Sequence, residues 1–226
     1  MTICVHMLAR NSDDFIRPCL ESVLPYATRV LVTLDARSSD KTEKILYELS
    51  EKYKNLEITI VNVVTPERDL VKFRNEQIKE TTEDWIWIVD SDEYYPRETT
   101  KEILEATKHS QYDTIALNSW ALWNKEEYHV STTRIPSARL FRKDSDMQWE
   151  GKFGKEMLYA GYIKLWDKDN VREEVKVLEN CYIHFTHMKK DSWRKEMNQE
   201  RRADSRNLRR LPLLVLNEIK KIYETV

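Results

Sequence analysis

Trp85-Ile86-Trp87-Ile88-Val89-Asp90-Ser91-Asp92-Glu93 decides how the rest of this chain is read. Five consecutive large apolar or β-prone residues predict a strand buried on both faces, as central strands of parallel sheets are. The run stops at acids in an Asp-x-Asp-Glu pattern. Ligands of open α/β sheets sit just beyond the carboxyl ends of the strands. Carboxylates placed there can hold a divalent cation through hard oxygen ligands, and the cation can hold a phosphate. Asp144-Ser145-Asp146 and Asp167-Lys168-Asp169 repeat the spacing, but neither follows a predicted buried strand. Position therefore singles out Asp90 and Asp92.

Working outward, strands and helices alternate on both sides of this run. Toward the N-terminus, Ile3 to Leu8 reads as a buried strand, and Arg29 to Leu34 and Leu56 to Val64 read as the second and third strands. Helical spacing places a helix after Ser12 as N-cap, with Phe15, Cys19, Leu20, Val23 and Leu24 facing inward and Pro25 ending it. Further helices are predicted over Lys41 to about Lys52 and over Leu70 to Thr81. Toward the C-terminus, Pro96 opens a helix reaching about Lys108, and Thr114 to Trp120 is a fifth strand. The alternation implies a three-layer α/β sandwich.

After Leu122 the helical periodicity weakens and aromatic residues become dense. Ala138 to Arg142 alternates like a strand and is expected to carry Arg139 and Arg142 on one face. Val175 to Leu178 and Tyr182 to Phe185 read as two short strands. From Asp191 to the end the pattern is helical, interrupted at Pro212. Its basic face includes Arg194, Lys195, Arg201, Arg202, Arg209 and Arg210, and its end is apolar.

Composition removes several function classes. At 226 residues, with 41% hydrophobic and 34% charged, the chain is long enough to bury one sizeable core. A formal net charge of −2 gives no global attraction to nucleic acid or anionic lipid. All three glycines, Gly151, Gly154 and Gly161, fall in the C-terminal half, so neither glycine-rich phosphate loop can follow an early strand. Phosphate binding must then use a metal and side chains. Three cysteines without metal-site spacing fit a reducing cytoplasm. Met1 to His6 has no basic region and runs directly into a strand, so no signal peptide is expected.

Four blocks in order resemble the inverting family 2 glycosyltransferases of GT-A fold. Arg10-Asn11 is similar to the family's N-terminal "RNE" loop, with Ser12 where an acid is usual. Leu34-Asp35-Ala36-Arg37-Ser38-Ser39-Asp40-Lys41-Thr42 resembles "vDsgStDkT", Phe73-Arg74-Asn75 its "RN" helix, and Asp84 to Glu93 its "DWilvlDaDE". A weaker fifth block, Arg139-Leu140-Phe141-Arg142 to Trp149-Glu150-Gly151 and Gly154-Lys155-Glu156, is similar to "RlFR…w.G.vHE", with Lys155 replacing His. The resemblance implies a Rossmann-like α/β/α sandwich with a mostly parallel sheet. It also implies a glycosyltransferase domain over 1–190, binding donor with 1–118 and acceptor with 119–190. Residues 191–226 are expected to form a helical extension packed on that domain, its basic face offering a peripheral membrane or partner contact.

The same resemblance implies metal-dependent transfer of a sugar, with inversion, from a nucleotide-diphosphate sugar (a UDP- or GDP-sugar above all) to a glycan, lipid-linked or protein acceptor. Asp92 is implied as a ligand of Mn²⁺ or Mg²⁺, with Asp90 reaching ribose or metal. Ala9, Asp35, Arg74 and Ser91 are implied in binding the nucleotide sugar. Asp35 can accept from a base N–H, although it could equally cap the next helix. Arg74 points at the base, pairs with Asp35, or forms a surface ion pair. Asn75 serves the site or the structure. Glu156 is implied as the carboxylate that deprotonates the acceptor hydroxyl, with Glu150 and Asp146 as rivals. His184, ahead of His187, could reach the metal or be a packed strand histidine. Trp120, Trp123 and Trp149 could line an acceptor groove or belong to the core.

Three other readings compete. A haloacid-dehalogenase-type phosphohydrolase also ends an apolar strand in Asp-x-Asp, with Asp90 as nucleophile and Asp92 as acid. That motif opens its domain, however, whereas three strand–helix units precede Asp90 here. A sugar nucleotidyltransferase shares the general fold but expects a glycine-rich basic loop after the first strand, and Leu8-Ala9-Arg10-Asn11 has no glycine. A non-catalytic sugar-nucleotide-binding homologue is the third.

Overall fold

The computed structural model of the protein describes residues 1–129, 136–151, 157–160, 163–165, 173–185, 188 and 208–225. The first half alternates β1 (Ile3–Ala9), α1 (Ile16–Val23), β2 (Arg29–Asp35), α2 (Thr42–Lys52), β3 (Leu56–Val61), α3 (Pro66–Glu80) and β4 (Trp85–Ile88). Then follow β5 (Glu93–Tyr94), α4 (Arg97–Ala106), β6 (Thr114–Leu117), β7 (Ser119–Leu122), β8 (Glu127–His129) and β9 (Ser137–Arg142). The remainder contains β10 (Met147–Glu150), β11 (Met157–Ala160), β12 (Ile163–Lys164), β13 (Val175–Val177), β14 (Tyr182–His184), β15 (Leu208–Arg210) and α5 (Leu213–Thr225).

Seven strands form the main sheet in the order β13-β6-β9-β4-β1-β2-β3. Among them only β9 runs against its neighbours. The expected doubly buried strand is β4, and its alternation shows why an unbroken apolar run is required. Trp85, Trp87 and Val89 join the core shared with α1, α2 and α4, while Ile86 and Ile88 face Ile78 of α3 and the β10–β12 layer. Trp85 and Trp87 are both fully buried. The sheet thus lies between α1, α2 and α4 on one side and α3 with the small β10–β11–β12 sheet on the other. A third sheet, β15-β8-β7-β14-β5, packs under α5 through Phe15, Ile183, Phe185, Val215, Ile219 and Ile222.

Several expectations change in detail. The predicted strand Thr114–Trp120 is two strands: after Leu117 the chain leaves the main sheet at Asn118 and enters the third sheet as β7. The second half also returns to the main sheet as β9 and β13. Helix was expected throughout the C-terminal segment, yet Leu208–Arg210 is a strand, paired antiparallel with β8. Pairing with an open sheet edge outweighs local helix propensity there. The basic residues Arg194, Lys195, Arg201 and Arg202 lie outside the described residues.

Ser12 does not cap α1, which starts at Ile16 without a side-chain cap. Asp144-Ser145-Asp146 does follow a partly buried strand, β9. Because β9 is antiparallel, Arg142 pairs with Trp85 and Lys143 N donates to Asp84 O, so this second acidic turn lies at the opposite edge from Asp90.

Candidate active site

In chain order the sheet grows from β1 through β2 to β3, then crosses back to place β4 on the other side of β1. The reversal opens a crevice beyond the carboxyl ends of β1 and β4, where open α/β sheets bind ligands. Ala9-Arg10-Asn11 leaves β1 there and Asp90-Ser91-Asp92 leaves β4 there. The hydroxyls of Ser12 and Ser91, both buried, join the two loops at 2.7 Å. Asn11 takes a positive φ of 44°, which asparagine tolerates better than most residues. It is tied to the loop after β2: its N–H donates to Ser38 Oγ at 3.3 Å, and its Oδ1 accepts from Ser39 N at 2.9 Å.

Asp35 ends β2 and is 5% exposed. It accepts from Arg37 N at 3.0 Å and Arg37 Nη2 at 2.7 Å, and Arg10 Nε lies 3.7 Å away. Burial pushes its carboxyl up, but the hydrogen bonds and charge of Arg37 outweigh burial and hold it below the usual carboxylate range. The first N–H of α2, that of Thr42, donates to Asp40 Oδ1 at 3.0 Å, so Asp35 is not needed at that helix start.

Arg74, on α3, pairs with Asp90 and not with Asp35: its Nη2 is 3.6 Å from Asp90 Oδ1. Its guanidinium lies 5.1 Å from the Trp149 ring centroid. Asn75 is structural in this geometry. Its Nδ2 donates to Trp149 O at 2.9 Å and its Oδ1 accepts from Trp149 N at 2.6 Å, docking β10 onto α3.

Asp90 also faces Arg139 Nη1 at 3.5 Å, and its side chain remains 38% exposed. Burial raises the Asp90 carboxyl, while Arg139 and Arg74 draw it below its ordinary value. Asp92 is 7% exposed, with its Oδ2 3.5 Å from His184 Nε2. Register explains that contact: β14 pairs with β5 so that His184 stands opposite Glu93, and Phe185 N donates to Asp92 O at 2.9 Å. Burial lowers the His184 imidazole and the Asp92 charge more than reverses it, leaving it raised. Glu93, fully buried, pairs with Arg139 and accepts from Asp90 N and Tyr95 Oη, both at 3.2 Å. Burial raises its carboxyl to about 7 against the pull of Arg139.

The structure therefore brings Ala9, Arg74, Asp90, Ser91, Asp92 and His184 around one crevice, with Asp35 two strands from β4 at the same edge, on the order of 10 Å away by strand spacing. Of the three tryptophans, Trp149 reaches this place through Arg74. Trp120 packs edge-on against Tyr128 at 4.5 Å, and Trp123 sits in the β7–β8 turn. Glu156 and His187 lie outside the described residues. Of the rivals to Glu156, Asp146 is at the far edge of the sheet. Glu150 is exposed and accepts from Gln148 Nε2 at 2.7 Å, on the face of β10 opposite Trp149.

From the sequence, Arg139 and Glu93 had no role in the site, and the Ser12 hydroxyl had only that of capping α1. Residues 139 and 142 are an odd number apart, which in a regular strand puts them on opposite faces. A register shift, Ile115 opposite Leu140 but Ala116 opposite Ala138, makes Arg139 the extra residue of a bulge. Both guanidiniums consequently reach the main core face, Arg139 over Tyr182 and Arg142 over Trp85, with centroid distances of 5.2 and 4.7 Å. The one signal in the sequence was a charged residue inside an apolar strand.

An oxygen from Asp92 and an imidazole nitrogen from His184 suit Mn²⁺ or Mg²⁺ as a donor set. Among the described residues no group of three or more His, Cys, Asp or Glu is assembled for a metal. A cation here would complete its shell with ligand oxygens and water.

Residues 4–173 match the family model described as Glycosyl transferase family 2. The poly(ribitol-phosphate) beta-glucosyltransferase of Bacillus spizizenii is 29% identical over 119 residues, 50% of this chain and 18% of that protein. The SPbeta prophage-derived glycosyltransferase SunS of Bacillus subtilis is 25% identical over 205 residues, 87% of this chain and 44% of that one. The chain thus spans less than half the length of either curated relative. Among solved structures, S. aureus TarS 1-349 superposes with a TM-score of 0.54 at 19% identity, covering 82% of this chain and 61% of that one. Its complex with UDP-GlcNAc gives 0.53 at 19% identity, covering 85% and 62%. These likenesses establish the shared fold.

Proposed function

The chain belongs to glycosyl transferase family 2 and has the GT-A fold, and from that premise we propose that it transfers a sugar from a nucleotide-diphosphate sugar to a hydroxyl acceptor, with inversion and with a divalent metal. One observation carries the reading: Asp90, Ser91, Asp92 and His184 converge beside the loop after β1, at the point where the strand order reverses. UDP- and GDP-sugars are the donors proposed. A TarS structure contains UDP-GlcNAc.

In this mechanism Asp35 accepts from the base, while Asp90, held by Arg74 and Arg139, accepts from the ribose. Asp92 and His184 would hold Mn²⁺ or Mg²⁺, which when bound neutralises charge on the departing diphosphate. Ser91 closes the loop against Ser12 and lies against the donor. Glu156 removes the acceptor proton as the hydroxyl attacks the anomeric carbon from the face opposite the leaving group; that geometry inverts the configuration. The acceptor is a glycan, lipid-linked or protein hydroxyl bound by residues beyond 118. A cytoplasmic setting is part of the proposal, where Cys4, Cys19 and Cys181 would stay the free thiols they are here. The exposed Arg209 and Arg210 support peripheral contact with an anionic membrane surface.

The test is turnover of UDP- and GDP-sugars, read as nucleotide release with pooled glycan, lipid-linked and peptide acceptors, with Mn²⁺ or with EDTA. Metal-dependent release that rises with one acceptor, and a product of inverted anomeric configuration, is expected. Nucleotide binding without release under any acceptor would favour a non-catalytic homologue, and retained configuration would remove the single-displacement mechanism.

A further inference from the structure

Because β9 is antiparallel, its beginning lies at the same sheet edge as the carboxyl end of β4. The bulge at Arg139 is therefore next to Asp90. One guanidinium there serves two carboxylates of different character. Its Nη2 pairs with Glu93, which is 0% exposed, and donates to Tyr182 Oη at 3.1 Å. Its Nη1 lies 3.5 Å from Oδ2 of Asp90, which is 38% exposed. The Tyr182 ring covers the guanidinium, with Cζ 5.2 Å from its centroid. Glu93 is fixed independently by the Tyr95 hydroxyl and the Asp90 N–H.

We propose that Arg139 is a positioning residue for the donor site: Glu93 and Tyr182 hold its guanidinium, and the guanidinium sets the orientation of the Asp90 carboxylate. The proposal rests on the donor-binding reading given above. A rigid planar fork can span two carboxylates at once, whereas the ammonium of lysine is a single point charge on a flexible stem. Neutralising Glu93 needs only one positive charge. Aiming Asp90 as well needs the fork, and the bulge in β9 delivers it to the crevice. Arg74 constrains the other oxygen of Asp90, so the two guanidiniums together leave the acid one orientation toward the crevice.

The test compares wild type, Arg139→Lys, the double variant Arg139→Gln/Glu93→Gln, and Asp92→Ala. Hydrolysis of UDP-glucose, UDP-GlcNAc and GDP-mannose is followed as nucleotide release with Mn²⁺ and no acceptor, together with thermal unfolding. Arg139→Lys keeps a positive charge beside Glu93 and is expected to fold. Its donor KM should rise about fivefold, the loss of one partly exposed ion pair to Asp90, with kcat per folded enzyme close to wild type. The double variant leaves no unpaired buried charge, so it separates folding from function. It should show the same rise in KM. Wild-type KM in the double variant, or a lowered unfolding temperature in Arg139→Lys with unchanged KM, would mean that Arg139 only compensates Glu93 and would overturn the proposal. Activity that is metal-dependent and lost in Asp92→Ala keeps the donor-site reading whatever Arg139 does. No release or binding in the wild type would overturn both.

Discussion

At the scale of single residues, burial decides what a titratable group does. His6 is fully buried on β1, with Nε2 2.6 Å from Thr81 Oγ1. That hydroxyl donates to Gln77 O at 2.7 Å, so His6 Nε2 is the donor to Thr81 and the ring is neutral. Its Nδ1 is buried without a partner. Burial, reinforced by the positive charges of Arg74 and Arg29, lowers the imidazole to about 3 from 6.5. Above pH 6.5 folded and unfolded states are both neutral here and His6 adds no pH dependence. As pH falls from 6.5 toward 3 only the unfolded state takes the proton, so stability falls. Between pH 7 and pH 5 this single site should remove about 2 kcal/mol of unfolding free energy. Chemical denaturation at both pH values, in wild type and His6→Gln, measures it as the difference between the two pH slopes. Asp90 and Asp92 were legible because an acid at the end of an apolar run has a place as well as a charge. His184 was only half legible, since the register that sets it opposite Glu93 lies in contacts between strands distant in sequence.

At the scale of elements, the doubly buried strands were the most readable part of the chain. β4 could hardly be anything else, because Trp85 to Val89 offers no polar face to water. The bulge in β9 was not readable, since the extra residue is defined only against Ile115 and Ala116 of its partner. Nor was β15, three residues whose strand state depends on the free edge of β8. How α3 carries the β10–β12 layer can be tested directly. Asn75 provides both hydrogen bonds to the Trp149 backbone, so Asn75→Ala should destabilise by about 1–3 kcal/mol. The same change should loosen the Trp149 ring over Arg74. Denaturant midpoints and tryptophan emission would register both effects; an unchanged midpoint and spectrum would show that the layer is held by the apolar contacts of Ile78, Phe141 and Leu158 alone.

At the scale of the molecule, two bodies of structure meet at the acid loop. The main sheet delivers Asp90 and Asp92, and the third sheet under α5 delivers His184. Phe185 ties them together: its ring stacks on Phe15 at 4.2 Å, and its N–H donates to Asp92 O. Tyr94 Oη donates to Glu218 of α5 at 2.9 Å on the same side. Phe185→Ala should cost about 3–5 kcal/mol of stability and weaken metal-dependent nucleotide binding along with it. A stable Phe185→Ala protein with unaltered binding would show that α5 and its sheet do not support the site. The central claim is that the crevice beyond β1 and β4 binds a nucleoside diphosphate through a cation on Asp92. Its most direct measurement is the unfolding temperature with UDP or GDP, with Mn²⁺ or EDTA, for wild type and Asp92→Ala. At a hundredfold excess over Kd the wild type should gain about 2.7 kcal/mol with one nucleotide and Mn²⁺, and lose it with EDTA. Asp92→Ala should gain nothing. Equal stabilisation of the two proteins, or no response of the wild type to either nucleotide, would contradict the assignment.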